Sequence, residues 1–320
     1  MKAACYSRYG PPEVLEVKDV PAPSPGGDEV LVRVRASTVC APDWRLRGAK
    51  LVFTRMATGL SAPRPNFIPG LELAGEIAAV GENVTRFRIG DRVFGSSGFK
   101  FGACAEYVAL LPDRRLEAMP ANASYEEAAA IPFGAISALS FLRRANIEPG
   151  QRVLIYGASS SVGTAAVQLA KHFGAHVTGV CSGANVEIIR SIGADEVIDY
   201  TRDDFAKSGA KSGRSYDVIL DAVGKSGYSR SLSVLRRGGY YLLVMGMPSA
   251  LVRAPFTRRA KVIWGMANMG EGDLALMKRL VEEGAYKPVI GRRFTLDEIR
   301  EAHLYAESGR KVGAAVVTID

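Results

Sequence analysis

The chain has 320 residues, 48% of them apolar and 23% charged, and carries a net charge of +8. That length exceeds what one hydrophobic core usually serves, so two domains are expected, and the composition excludes disordered and fibrous classes. The positive balance points to an anionic partner, whether nucleic acid, a membrane surface or a small ligand.

The first residues, MKAACYSRYGPPEVLEV, alternate like a strand and lack the basic start, apolar block and cleavage site of a secretory signal. No apolar run approaches the roughly 18 residues that would span a bilayer. A cytoplasmic protein without membrane attachment is expected. Cys5, Cys40, Cys104 and Cys181 are scattered with no C-x-x-C pair, which argues against a disulfide framework and against a structural zinc lobe.

Residues 1 to about 120 carry short apolar segments, EVLVRVRAS, LAGEIAAVG, RFRIGDRVFG and ACAEYVALL, punctuated by Gly and Pro, the rhythm of an all-β unit. Within them, Trp44 to Leu71 holds no acidic residue but includes Arg45, Arg47, Lys50, Arg55 and Arg64. Two readings stay open: a solvated surface loop, or an electropositive flap that attracts a phosphate-bearing cofactor. Nucleic acid is disfavoured, because no recognition helix, zinc finger or aromatic-rich RNA motif accompanies the charge.

After Pro120 the texture changes. SYEEAAAIPFGAISALSFLRRAN opens with Ser124 and Glu127 spaced as a capping box and predicts a helix. The runs RVLIY, HVTGV, EVIDY, YDVILDAV, YYLLVMG and KVIWGM follow, most of them continuously apolar, as in parallel strands covered on both faces. Helical segments separate them, so an α/β fold with an open, doubly wound parallel sheet is expected. The tail contains the helix GDLALMKRLVEEG, ending in Gly284, then FTLDEIREAHLYAESG and a last strand GAAVVTI. It is expected to rejoin the first domain, giving boundaries at 1–122, 123–265 and 266–320.

The segment IYGASSSVGTAAVQLAK reads as a dinucleotide turn: a buried strand, a turn of small residues, then a helix whose N-terminal N–H groups and dipole face a pyrophosphate. Val162, Ala166, Leu169, Ala170 and Phe173 share one face of that helix, which ends at Gly174. Gly157, Ala158, Ser159, Ser160, Ser161, Val162 and Gly163 form the candidate cradle. Ser160 and Ser161 stand where such turns usually put glycine. Were positive φ required there, each would cost roughly 1–2 kcal/mol; with ordinary φ their hydroxyls are free to donate to phosphate. NAD sites place an acid about 20 residues after the glycines. Here Cys181, Ser182 and Asn185 follow HVTGV instead, which favours NADPH over NADH. Tyr200, within reach of the adenosine phosphate, and Val223 and Gly246 complete the cofactor set.

GENVTRFRIGDRVFG resembles the G-x-x-V-x-x-F-x-x-G-D-x-V signature of medium-chain dehydrogenases/reductases. SSSVGTAAVQLAK is similar to the nucleotide signature of their quinone oxidoreductase branch, through Gly163, Gln168 and Lys171. The resemblance implies a Rossmann domain inserted into a GroES-like β-rich domain, a cleft between them, and homodimers or homotetramers paired through Rossmann edge strands. Zinc members of the superfamily ligate the metal through a Cys, the His of a G-H-E motif and a second Cys, leaving one position open. This chain has Cys40, but Leu71 in Gly70-Leu71-Glu72, and Phe133 at the second Cys position. No metal is therefore expected, and Cys40 is read as a neutral pocket or core thiol.

Hydride transfer from NADPH to an acceptor that is already electrophilic, a quinone or an α,β-unsaturated carbonyl, is the chemistry the resemblance then implies. Cys40, Trp44, Phe133 and Trp264 are the candidate substrate pocket. The branch often has Tyr shortly after the position of Asp43, where this chain has Trp44 and Arg45. No catalytic residue is assigned, and Arg45 is the one candidate to stabilise an oxyanion. Two rivals stay open: an alcohol or aldehyde dehydrogenase of the same fold, and a non-enzymatic NADPH-binding protein.

Overall fold

A computed structural model describes residues 1–49, 55, 59–207, 215–246 and 259–320. Two units form, one from Met1–Phe133, Gly270–Gly284 and Pro288–Asp320, the other from Gly134–Met269 and Ala285–Lys287.

The first unit is β-rich. It holds strands β1 (Lys2–Cys5), β2 (Glu16–Asp19), β3 (Val30–Thr38), β4 (Glu72–Val80), β5 (Arg92–Ser96), β6 (Tyr107–Leu110) and β7 (Leu116–Ala118), with helix α1 (Ala41–Gly48) after β3. Along β3, Val30, Val32 and Val34 are buried while Arg33 is exposed, the two-residue period of a strand with one face on the core. Two strands from the tail, β14 (Ile290–Thr295) and β15 (Ala314–Thr318), complete the same sheet in the order β14-β15-β3-β4-β5-β7, with β6 paired to β3. Val32, Leu73, Ile77, Phe294 and Val317 share its core, so residues from both ends of the chain pack together.

The helix predicted after Ser124 breaks in two, α2 (Tyr125–Ala129) and α3 (Pro132–Arg144). Pro132 cannot supply an N–H to continue α2, but it suits the first turn of a new helix. The capping box forms as the sequence predicts: the Glu127 N–H donates to Ser124 Oγ at 3.2 Å and the Ser124 N–H to Glu127 Oε2 at 3.0 Å.

The second unit holds β8 (Arg152–Tyr156), α4 (Ser161–His172), β9 (His176–Cys181), α5 (Val186–Ser191), β10 (Glu196–Asp199), β11 (Tyr216–Asp221), α6 (Tyr228–Val234), β12 (Leu235–Leu243) and β13 (Ala260–Trp264). All six strands are parallel, in the order β10-β9-β8-β11-β12-β13. This is the Rossmann order, with its topological switch point between β8 and β11, where ligands bind at the carboxyl ends of the strands. Val153, Leu154 and Ile155 are fully buried, as the continuous apolar run predicts. Helices α7 (Asp273–Glu282) and α8 (Ile299–Glu307) belong to the first unit. Among the described residues no helix is long and apolar enough to cross a membrane.

Candidate active site

The turn after β8 is shaped by two glycines. Gly157 has φ +76°, a left-handed conformation that favours glycine, and a Cβ there would meet the Val223 side chain at 2.7 Å. A Cβ on Gly163 would lie 2.1 Å from the Gly157 carbonyl oxygen, so the first turn of α4 rests directly on the backbone of the loop. Ser160 has φ −71° and ψ 166°, the extended geometry of an N-cap, and Ser161 opens the helix. Neither serine is among the positive-φ residues, so neither strains the turn. The Ser160 hydroxyl accepts from the Gly163 N–H at 3.0 Å and donates to the Gly157 carbonyl at 2.9 Å. Its one proton is thus held inside the turn, and the expectation that it is free to donate to phosphate is corrected: Ser160 caps α4 and fixes the loop.

With no acidic residue in its first turn, α4 offers its positive end to an anion. The residues fit a dinucleotide pyrophosphate. Ser160→Ala should lower stability by about 1 kcal/mol, the worth of a side-chain N-cap, seen as a lower urea midpoint; an unchanged midpoint would deny the cap.

At the carboxyl end of β9 the Cys181 thiol is buried, and that burial, with Asp199 nearby, pushes its pKa up to about 11. Asn185 Nδ2 donates to Ser182 Oγ at 3.1 Å, closing the following turn on itself. Tyr200 donates its N–H to the Cys181 carbonyl at 3.0 Å and leaves its side chain exposed. A carboxylate does stand here, contributed by the neighbouring strand. Asp199 lies opposite Cys181 in the β9–β10 register, and a Cβ on Gly183 would fall 2.6 Å from its Oδ2. Thr201 donates to it through both hydroxyl (2.7 Å) and N–H (2.9 Å), holding its pKa below the usual carboxylate range. Counting along β9 alone misses this acid.

Across the switch point, fully buried Asp221 accepts N–H bonds from Val223 (3.1 Å), Gly224 (2.7 Å) and Ser226 (2.8 Å), which folds the loop after β11. Gly246, with φ +107°, approaches Gly224 at the end of β12. Gly157, Val223 and Gly246 are thereby gathered at the carboxyl ends of three strands. Asp221 is a functional support the sequence reading missed; its only signal was an acid ending the apolar run VIL.

The first unit contains a buried polar cluster. Asp43 Oδ2 accepts from both the N–H (2.8 Å) and the thiol (2.9 Å) of Cys40, and its Oδ1 accepts the Gly70 N–H (2.8 Å). Burial first, then Asp43 and Glu72, raise the Cys40 thiol well above its ordinary pKa, which keeps it a neutral thiol. Glu72 is 3% exposed, accepts the Phe133 N–H at 2.6 Å and hydrogen-bonds the Thr38 hydroxyl. Burial raises its pKa. Cys40, Asp43, Glu72 and the Phe133 backbone are thus brought together, but the side chains of Leu71 and Phe133 have no lone pair to offer. Among the described residues no group of three or more His, Cys, Asp or Glu could hold a metal. These residues do not fit a catalytic zinc, which needs three protein ligands.

Trp44 is half-buried against the first unit's core, and the Arg45 guanidinium lies 5.1 Å from its ring centroid, at cation–π distance. Phe133 is half-buried in the same unit, whereas Trp264, in the second, is 45% exposed at the end of β13. The basic stretch divides. Arg55 and Arg64 are exposed, the former over the Tyr9 ring, and Lys50 lies outside the described residues. Arg47 is 1% exposed, which corrects both the surface-loop and the flap readings for that residue.

Residues 26–121 match the family "Alcohol dehydrogenase GroES-like domain" and residues 192–317 the family "Zinc-binding dehydrogenase". The chain is 32% identical to 2-methylene-furan-3-one reductase of Solanum lycopersicum, covering 99% of this chain and 79% of that one. It is 30% identical to the NADPH-dependent alkenal/one oxidoreductase, chloroplastic, of Arabidopsis thaliana, with the same two coverages of 99% and 79%. The quinone oxidoreductase structure from Coxiella burnetii superposes with a TM-score of 0.90 at 27% identity, over 100% of this chain and 99% of that one.

Proposed function

We propose a hydride transfer for this chain, which belongs to the medium-chain dehydrogenase/reductase superfamily, in its quinone oxidoreductase branch. The reaction is reduction of a quinone or an α,β-unsaturated carbonyl with NADPH and without zinc. One observation carries it: where a zinc member needs three ligands, this chain presents a hydrogen-bonded neutral thiol and the hydrocarbon side chains of Leu71 and Phe133. Alcohol oxidation by the zinc route needs a Lewis acid on the oxygen, whereas quinones and enones are electrophilic already.

Bound NADPH supplies a hydride from its nicotinamide ring. The chain binds and orients. The Gly157–Gly163 turn and the N-terminus of α4 receive the pyrophosphate, and Asp221 holds the Val223–Ser226 loop in shape beside it. Ser182, Asn185 and Tyr200 are the groups offered to an adenosine 2'-phosphate, supported by the NADPH dependence in the name of the Arabidopsis relative. The Asp199 carboxylate beside Gly183 is an acid of the kind that holds ribose hydroxyls and repels that phosphate, so NADPH against NADH is the deciding comparison. Cys40 stays protonated because its burial, and then the charges of Asp43 and Glu72, oppose the thiolate, while its thiol donates to Asp43. Arg45 supplies a fixed positive charge to the oxygen on which negative charge develops. The same reading makes the protein a cytoplasmic homodimer or homotetramer, paired through the edge strands of the parallel sheet.

The test is a panel of quinones and enones with NADPH and NADH, before and after chelation, alongside metal analysis. Turnover of at least one acceptor, faster with NADPH and unchanged by chelator, is the expected result. Stoichiometric zinc essential to turnover would return the protein to the alcohol dehydrogenases. Fluorescence quenching by NADPH without oxidation by any acceptor would make it a binding protein.

A further inference from the structure

Helix α1 inverts the usual amphipathic pattern. Its buried residues are the charged pair Asp43 and Arg47, one turn apart on the same face, while Arg45 is exposed and Trp44 half-buried. The Arg47 guanidinium is met from three directions. Nη1 donates to the Gly10 carbonyl at 2.8 Å, Nη2 to Glu307 Oε2 at 2.6 Å, and Nε to His303 Nδ1 at 3.3 Å. The backbone returns the first contact, since the Gly10 N–H donates to the Arg47 carbonyl at 3.1 Å. His303 is fully buried, and burial together with Arg47 pushes its pKa down to about 3, so its Nδ1 keeps the lone pair that accepts.

At its other end α1 is tied by Asp43 to Cys40 and Gly70. Trp44 lies between these two anchors. A buried ion pair contributes little net stability over well-packed apolar groups. Three converging bonds to groups at positions 10, 303 and 307 do, however, select one orientation of the helix.

We propose that Arg47 is a positioning residue, which fixes α1 and thereby holds Trp44 as an acceptor-facing group of the first unit. The inference rests on the acceptor-reductase reading above. Glu307 and His303 act with Arg47, as the partners that keep its guanidinium in place.

Trp44 and Trp264 are the chain's two tryptophans, so Trp264→Phe leaves Trp44 as the one fluorescent indole. In that background Arg47→Met and Glu307→Gln should each raise acrylamide quenching of Trp44 about twofold, as a local order is lost. With Trp264 intact, the same two substitutions should raise KM for 1,4-benzoquinone roughly tenfold and leave KM for NADPH unchanged, with Arg47→Lys recovering part of the loss. Should Arg47→Met fail to fold, Glu307→Gln and Arg47→Lys carry the test. Unchanged quenching, or altered quenching with an unchanged benzoquinone KM, would overturn the proposal and leave Arg47 a purely structural residue. Failure of the underlying reading is distinguishable, because the wild-type protein would then reduce no acceptor, and the proposal would fall with it.

Discussion

On the proposed reading, Gly163→Ala is expected to weaken NADPH binding about tenfold to a hundredfold, a loss of roughly 1.4–2.8 kcal/mol. In an ordinary helix the change would stabilise by about 1 kcal/mol. Here the new methyl would lie 2.1 Å from the Gly157 carbonyl and 2.8 Å from Ala158 backbone atoms, far inside contact distance. Backbone, unlike a flexible side chain, cannot swing aside, so either α4 lifts or the turn deforms. Overpacking of this kind costs about 1–3 kcal/mol, and both escapes change the spacing between the loop and the helix N-terminus proposed for the phosphates. Fluorescence titration with NADPH, beside a urea curve, separates the two losses. An alanine variant with wild-type affinity would mean that the pyrophosphate does not depend on this contact.

The second large effect is on acid stability. Folded His303 has its pKa pushed down to about 3 against an ordinary value of 6.5. Between those values the unfolded chain binds a proton that the folded chain refuses, so stability rises with pH across the window and is lost as pH falls toward 3. At 1.36 kcal/mol per unit the full contribution is on the order of 3–5 kcal/mol. Glu72 acts with opposite sign. Burial raises its pKa above the ordinary 4.5, so the folded state holds a proton the unfolded state has released, and stability declines as pH rises through that range. Wild-type stability should therefore climb steeply up to about pH 4.5 and flatten toward 6.5, where the two slopes oppose each other. His303→Asn keeps an acceptor for Arg47 and removes the titration. Urea unfolding at pH 3 to 7 should show the His303 part of the climb below pH 4.5 gone and a decline with rising pH in place of the flat region above it, and a variant with the wild-type profile would remove His303 as the cause.

What could be read from the sequence depended on how local the cause was. The apolar run, the small-residue turn and the amphipathic helix around Gly157 lie within one stretch, and the parallel sheet followed from repeating that pattern. The Ser124–Glu127 capping box is likewise local, and it formed. Ser160 was ambiguous because its role turns on a backbone angle, which residue type alone does not fix. Asp199 escaped because its place beside Gly183 comes from strand register, not from spacing along β9. Arg47 escaped for a stronger reason: in a stretch with five basic and no acidic residues it reads as solvated, and an ion-pair partner, Glu307, lies 260 residues away. Only the four-residue interval to Asp43 hinted that one face of α1 is polar and inward.

The tail strands have a consequence for synthesis. β15 pairs with the Ala36–Thr38 end of β3, whose other side pairs with β4, so one edge of that end stays open until Val316–Thr318 have been made. The second unit is nearly continuous, from Gly134 to Met269, and its sheet can close while the first is still waiting for its last strands. Domains of most chains fold in the order in which they leave the ribosome; here the part begun first is finished last. In the interval an apolar, hydrogen-bond-hungry strand end is exposed, a place for chaperone capture or mispairing between nascent chains.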